Sequence, residues 1–154
     1  MSKGIEHKKL DGSALKIGVA VSRWNDALTS VLRERCVQAL GDSGVKNEHI
    51  VVIETPGSFE LPFAAKVLIE RDKADAVVCL GCLIKGETAH FEYIAGAVSH
   101  GIMQVGLDSG VPVIFGVLTC LNEEQARTRA SKEGMDHGYE WGLSAVEMGL
   151  LRKS

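Results

Sequence analysis

AVVCL, residues 76–80, is the stretch that decides the fold of this chain. It is short, apolar throughout and rich in β-branched residues, which is typical of a strand buried on both faces. Three more segments have the same character, at residues 17–21, 50–53 and 113–118. Because strands of this kind need cover on both sides, they predict a parallel sheet between two helix layers.

The segments between these strands have the spacing of amphipathic helices. In the first, one apolar stripe is formed by Leu28, Val31, Leu32, Cys36 and Leu40. Further helices are predicted over residues 60–71 and 90–109, from residue 122 onward, and over 139–151. The chain therefore repeats a strand and a helix four times.

This element order predicts an α/β fold, a three-layer doubly wound sandwich of the flavodoxin-like kind. The simplest arrangement with right-handed crossovers is a four-stranded parallel sheet of order 2-1-3-4. Its switch point lies between strands one and three, and ligands bind outside the carboxyl ends of strands at such a point. The loops that follow the strands are therefore the place to look for a site.

Length and composition predict one domain. The chain has 154 residues, 45% of them hydrophobic and 24% charged, which suits a single core. We assign residues 16–154 to this domain. Residues 1–15 have no clear pattern and are predicted to form an N-terminal arm that adds a strand to a neighbouring subunit.

The charge distribution argues against nucleic acid and membrane partners. Lys and Arg total 17 and Asp and Glu 20, giving a net charge of -3, and neither sign forms a long block. The apolar stretches are strand-sized, and the first four residues lead into no apolar signal core. We expect a cytoplasmic protein.

The four cysteines are not expected to bind metal or form disulfides. Cys79 and Cys82 have the two-residue spacing of a zinc ligand pair, but residues three apart on a strand point to opposite faces. No second pair stands at a zinc spacing. Buried, reduced thiols with a structural role are therefore predicted, and no metal site.

The loops after strands one and two carry candidate ring-binding groups. Trp24 follows strand one and offers a flat face for stacking on a heteroaromatic ring, with core filling as the alternative. After strand two, Pro56 and Gly57 allow a tight turn, and the first amides of the next helix can bind a uracil-like edge. Glu60 in this helix is equally explained as a charge that complements the helix dipole.

The loop after strand three carries a candidate phosphate site. The stretch from Lys85 to Thr88 leads into a helix, so the amides of Glu87 and Thr88 and the Thr88 hydroxyl can bind phosphate. His90 follows in the same helix, and a neutral imidazole there can accept a proton, although a lone histidine is usually structural.

From the residues alone, Phe115 and Arg129 look structural. Phe115 lies inside a predicted buried strand, where core packing is the default. Asn122 is a good helix cap with Gln125 three residues later, and Arg129 follows as an ordinary solvated charge on that helix.

Six motifs together resemble lumazine synthases over residues 16 to 150, nearly the whole chain. In chain order they are RWN (23–25), PGSFELP (56–62), GCLIKGETAHFEY (81–93), VPVIFGVLT (111–119), EEQARTRA (123–130) and SAVEMG (144–149). The resemblance implies a transferase of riboflavin biosynthesis that needs no cofactor. It would condense 5-amino-6-(D-ribitylamino)uracil with 3,4-dihydroxy-2-butanone 4-phosphate to 6,7-dimethyl-8-ribityllumazine, phosphate and water.

The resemblance also implies a role for each matching residue. The pyrimidine and its ribityl chain would contact Trp24, Ser58, Phe59, Glu60, Cys82, Leu83, Ile84 and Phe115. The phosphate would contact Glu87, Thr88 and Arg129. His90 would transfer protons. Phe115 and Arg129 would come from a neighbouring subunit, which replaces the structural interpretation given to them above.

The expected assembly is a homo-oligomer. The segment 131–138 lacks the Gly-Thr-Lys-x-Gly-Asn-Lys-Gly form of capsid-forming relatives, so a homopentamer is favoured, with a sixty-subunit shell as the alternative. Trp24 in place of the more frequent Phe makes riboflavin a candidate bound ligand. Two functional alternatives remain: a non-catalytic module that binds riboflavin or another flavin, and a structural shell protein.

Overall fold

The computed structural model describes residues 4–154 and has the predicted α/β architecture. All strand pairs are parallel, and the sheet order is β2-β1-β3-β4. The elements, in chain order, are β1 (Ile17–Ser22), α1 (Asp26–Asp42), β2 (Ile50–Thr55), α2 (Leu61–Glu70), β3 (Ala76–Ile84), α3 (His90–Ser109), β4 (Val113–Cys120), α4 (Glu123–Ala130) and α5 (His137–Lys153). The predicted strand order and three layers are confirmed.

Two apolar clusters fill the space on either side of the sheet. One joins the sheet to α1, α4 and α5, and the other joins it to α2 and α3. Cys79 belongs to the second cluster and Cys82 to the first, so the two thiols do lie on opposite faces. All four cysteines are free and buried. The spacing of this pair is therefore that of a strand between two cores.

Strand β3 is longer than predicted. It continues past Leu80 to Ile84, because its pairing with β4 persists through Cys82 opposite Leu118 and Ile84 opposite Cys120. Cys82, Leu83 and Ile84 were expected in a loop and instead form the carboxyl end of the strand. Gly81 interrupts the apolar run in the sequence without ending the strand.

The helix limits agree closely with the sequence pattern. α3 begins at His90 and ends at Ser109, as predicted. The side chain of Asn122 caps α4 by accepting from the backbone N–H of Gln125 at 2.9 Å, and the Gln125 side chain in turn accepts from the N–H of Leu121 at 2.9 Å. Among the described residues, no helix is long and apolar enough to cross a membrane.

The described part of the N-terminal segment packs partly on its own subunit. Leu15 is fully buried in the core beside α5 and β3, and Leu10 packs against the same cluster. The N–H of Gly12 donates to the carbonyl of Ser43 at 2.7 Å. Residues 1–3 of the predicted arm lie outside the described residues. Strand addition to a neighbour stays a prediction.

Candidate active site

A cleft of about 510 Å³ lies at the carboxyl ends of β1 and β3, at the switch point of the sheet. Its size falls within the range of small-molecule sites, roughly 300–1,000 Å³. The residues singled out in the sequence that line it are Trp24, Ser58, Phe59, Glu60, Cys82, Leu83, Ile84, Thr88 and His90. Three loops from different parts of the chain thus meet where the topology predicted a site.

Trp24 presents its ring to the cleft and solvent instead of to the core. Its side chain is 72% exposed, which argues against core filling. The backbone beneath it is fixed, because the N–H of Arg23 donates to Thr55 at 2.8 Å and that of Trp24 donates to Pro56 at 3.1 Å. These bonds extend the β1–β2 pairing past the strand ends. The ring is therefore exposed on a rigid support.

Asn25 connects this loop to β3. It adopts the left-handed conformation, with φ of 61°, which Asn tolerates better than most residues. Its side-chain amide donates to the carbonyl of Cys82 at 2.9 Å. This bond closes the cleft floor between the end of β1 and the end of β3.

The loop after β2 ends in a 3₁₀ turn, Ser58–Glu60, rather than directly in a helix. One Glu60 carboxylate oxygen accepts from the N–H of Gly57 at 2.8 Å, and the Thr55 hydroxyl donates to the Gly57 carbonyl at 2.8 Å. Glu60 therefore caps the turn through its side chain, a contact that the sequence did not predict. The same residue also lines the cleft.

Ser58 is buried beneath this turn. It is 4% exposed, and its hydroxyl has no hydrogen-bond partner among the described residues. A Cβ added to Gly81 would lie 2.4 Å from the Ser58 Oγ, so only glycine at position 81 lets β3 approach the turn this closely. A buried hydroxyl without a partner is costly, and a polar ligand in the cleft would satisfy it.

The segment between β3 and α3 brings Thr88 beside His90. The Thr88 hydroxyl accepts from the backbone N–H of His90 at 3.3 Å, and both residues line the cleft. Lys85 forms an ion pair with Glu92 that ties the segment to the first turn of α3. Glu87 and Thr88 precede the helix, whose first residue is His90, and Glu87 does not line the cleft.

The titratable side chains of the cleft lining are those of Glu60, Cys82 and His90. Burial raises the pKa of the Cys82 thiol to about 12, so it stays protonated at neutral pH and is a poor nucleophile. The other two titratable side chains of the lining are those of Glu60 and His90. Among residues 4–154, no three His, Cys, Asp or Glu side chains cluster as a metal site would require.

Phe115 and Arg129 lie outside this cleft in the same chain. Phe115 sits mid-strand in β4, opposite Cys79, and is 39% exposed, too open for the core position expected from the residues alone. The guanidinium of Arg129 donates to the backbone carbonyl of Gln125 at 3.1 Å, one turn earlier in α4. In the sheet, β3 lies between β1, which precedes Trp24, and β4, which carries Phe115.

Several lining residues were not singled out in the sequence. They are Asn25, Pro56, Gly57, Gly86, Phe91 and Ile94. In the sequence, Pro56 and Gly57 predict only a tight turn, although their position after a strand also places them at the site. Phe91 and Ile94 face the cleft from the first turns of α3, where an apolar residue normally predicts core.

Comparison with known proteins finds similarity along nearly the whole chain. The family model described as 6,7-dimethyl-8-ribityllumazine synthase matches residues 14–153. A protein of that name from Schizosaccharomyces pombe is 49% identical over 150 residues, covering 96% of this chain and 94% of the relative. Another of that name from Pyricularia oryzae is 42% identical over 190 residues, covering 99% and 95%.

Proposed function

Because this chain belongs to the 6,7-dimethyl-8-ribityllumazine synthase family, we propose that its cleft makes that lumazine. The enzyme condenses 5-amino-6-(D-ribitylamino)uracil with 3,4-dihydroxy-2-butanone 4-phosphate and releases inorganic phosphate and water. One observation carries the assignment to this cleft: Trp24, the Ser58–Glu60 turn and the Thr88–His90 pair line a single space at the switch point.

The pyrimidine binds in the half of the cleft between Trp24 and the 3₁₀ turn. Its ring stacks on the exposed indole, a contact worth roughly 1–3 kcal/mol by analogy with base stacking. The edge of the ring and the ribityl chain contact Ser58, Phe59 and Glu60 on one side and Cys82, Leu83 and Ile84 on the other. The unpaired Ser58 hydroxyl supports this placement, since a polar ring edge supplies the partner it lacks.

The phosphate of the four-carbon substrate binds beside the start of α3. Thr88 offers its hydroxyl, Glu87 and Thr88 offer backbone N–H groups, and the positive end of α3 favours an anion here. Arg129 of a neighbouring subunit completes the site with a charged fork suited to phosphate. Arg129 and Phe115 are not among the residues that line the cleft of their own chain, which supports a site built from two chains.

His90 moves the protons that this reaction requires. The 5-amino group attacks the ketone and water leaves to form an imine; a proton is then lost as phosphate departs, and ring closure expels a second water. His90 accepts and returns protons at these steps from its position beside Thr88. A single general acid/base contributes about 10²–10⁴-fold, whereas holding two reactants together lowers the barrier by up to roughly 7–11 kcal/mol.

The assembly we propose is a homopentamer in the cytoplasm. Large apolar side chains are exposed along α2, α3 and β4, namely Phe63, Tyr93, Met103, Leu107 and Phe115. An exposed apolar surface of this kind is typical of a protein interface, here with another copy of the chain. Four free cysteines suit a reducing compartment. A sixty-subunit shell built from pentamers is the alternative assembly.

A flavin-binding module without turnover is not favoured by the family membership. We propose riboflavin instead as an additional ligand of the same cleft, because its ring system and ribityl chain resemble those of the lumazine product. The exposed indole of Trp24 supports this.

The assignment is tested by mixing the purified protein with both substrates. We expect lumazine, detected by its fluorescence, and inorganic phosphate to form in equal amounts. Neither product should form when one substrate is left out. Tight riboflavin binding without any lumazine formation would instead assign the chain to flavin binding alone.

A further inference from the structure

Helix α4, which carries Arg129, is held in place by little apolar contact. It spans only eight residues, Glu123–Ala130, and its buried residues are the two alanines Ala126 and Ala130. An alanine side chain buries only one methyl group, the smallest apolar contact that a side chain can make. Apolar packing alone therefore leaves the orientation of this short helix weakly determined.

A compact turn anchors the C-terminal end of α4. The N–H of Met135 donates to the carbonyl of Thr128 at 2.9 Å, and the N–H of Asp136 donates to that of Ser131 at 3.0 Å. A Cβ added to Gly134 would lie 2.1 Å from the Thr128 carbonyl oxygen, so the turn lies directly against the last turn of α4. The backbone of Asp136 is therefore bonded directly to Ser131, the residue that follows α4.

Asp136 is in turn bound by Arg35 of α1. The Arg35 guanidinium donates to both carboxylate oxygens of Asp136, each at 2.9 Å, and the two side chains are mostly buried. Arg35 also lies over the ring of Tyr139, 4.9 Å from its centroid. Asp136 has a φ of 50°, a conformation that Asp tolerates better than most residues. Two parallel bonds fix direction as well as distance.

We propose that the Arg35–Asp136 pair positions Arg129 for phosphate binding. The pair ties the end of α4 to α1, the helix that begins directly after Trp24 and Asn25. Arg129 has to reach the phosphate in a neighbouring subunit's cleft, so a small rotation of α4 displaces its guanidinium from the anion. Arg35 and Asp136 touch no substrate; they are positioning residues, and this role rests on the function proposed above for Arg129.

A double-mutant cycle tests the proposal, with the KM for the phosphate substrate as the readout. Asp136→Asn keeps the size of the side chain and the tolerance for a positive φ while removing the charge. We expect it to raise that KM roughly tenfold, because a displacement of about 1 Å can cost up to 10²-fold. The KM for the pyrimidine should change less than about twofold. Arg35→Lys, which keeps the charge and loses the fork, should give a smaller change in the same direction.

The second arm of the cycle asks whether the effect passes through Arg129. Arg129→Ala should raise the same KM by about 10- to 150-fold, which corresponds to the roughly 1.5–3 kcal/mol of a hydrogen bond to a charged group. Adding Asp136→Asn to Arg129→Ala should then change it no further. The control is Asp75→Asn, a mostly buried carboxylate paired with Arg152 and Lys153 at the opposite end of the sheet, which should leave both KM values unchanged.

The outcomes separate the two claims. If Arg129→Ala leaves the KM for the phosphate substrate unchanged, the phosphate role of Arg129 is wrong, and the positioning role with it. If Arg129→Ala raises this KM but Asp136→Asn and Arg35→Lys do not, only the positioning role is overturned. The same holds if Asp136→Asn changes the KM equally in the unaltered protein and in Arg129→Ala. Because the pair is probed from both sides, the test does not depend on one variant folding.

Discussion

Replacing Trp24 by alanine should separate ligand binding from stability. The indole is 72% exposed, so its removal deletes little buried contact, and we expect the free energy of unfolding to change by less than about 0.5 kcal/mol. Loss of stacking should weaken riboflavin binding by about 1–3 kcal/mol, which is roughly 5- to 150-fold in Kd. Trp24→Phe keeps a smaller ring and should fall between the two proteins.

Isothermal titration with riboflavin measures this directly, alongside thermal unfolding of each variant. The matched control is Leu151→Ala, which removes another largely exposed apolar side chain, 62% exposed, near the end of α5. It should leave riboflavin affinity unchanged. Equal affinity of Trp24→Ala and the unaltered protein, with both folded, would mean that the ring does not stack on the ligand and would refute its role.

Three further results are expected. His90→Ala should slow turnover by roughly one to two orders of magnitude without abolishing it, because the cleft still holds the two substrates together. Complete loss of activity in a folded protein would contradict substrate proximity as the main contribution to the rate. An unchanged rate would remove His90 from the mechanism. Burial raises the pKa of three thiols, those of Cys36, Cys79 and Cys82, to about 12. At pH 8 only about one in 10⁴ of these thiols is ionised, so iodoacetamide should scarcely label them in the native protein. Rapid labelling, detected by mass spectrometry, would disprove their burial. Gly81→Ala should destabilise the protein by about 1–3 kcal/mol, measured by urea unfolding. The nearest clash of the added methyl group is with the Ser58 hydroxyl, so adding Ser58→Ala should recover most of the lost stability. No recovery would mean that the strain lies elsewhere.

The fold was largely predictable because its two central strands, β1 and β3, are buried on both faces. Apolar runs gave the number and order of the strands, and the helical stripes between them gave the crossovers. The error at the end of β3 has a physical cause. Gly81 looks like a strand end in the sequence, but it is the residue that lets the Ser58 turn approach the strand while the pairing with β4 continues.

The candidate site was predictable wherever its residues follow a strand of their own chain. Trp24, Ser58 and His90 satisfy that condition, and they line the cleft. Phe115 lies inside a strand and Arg129 lies late in a helix. Their proposed partners belong to another subunit, and no pattern within one chain reveals such a partner. Only the resemblance to a known family pointed to them.

Contacts between distant residues are the second kind of feature that local patterns miss. Arg35 and Asp136 are 101 positions apart, and each looks like an ordinary surface charge in the sequence. The left-handed backbone of Asn25 is also hidden in the sequence, because an Asn near the start of a helix normally indicates only a cap.

The central claim, that each site is built from two chains, is tested most directly by joint refolding of His90→Ala and Arg129→Ala. Each variant alone should form impaired sites, because every site then has one defect. In a mixed oligomer, some interfaces pair an intact His90 side with an intact Arg129 side and regain complete sites. We therefore predict a specific activity above the mean of the two variants refolded separately. Activity no higher than that mean, with mixed assembly verified by native mass spectrometry, would contradict the shared site.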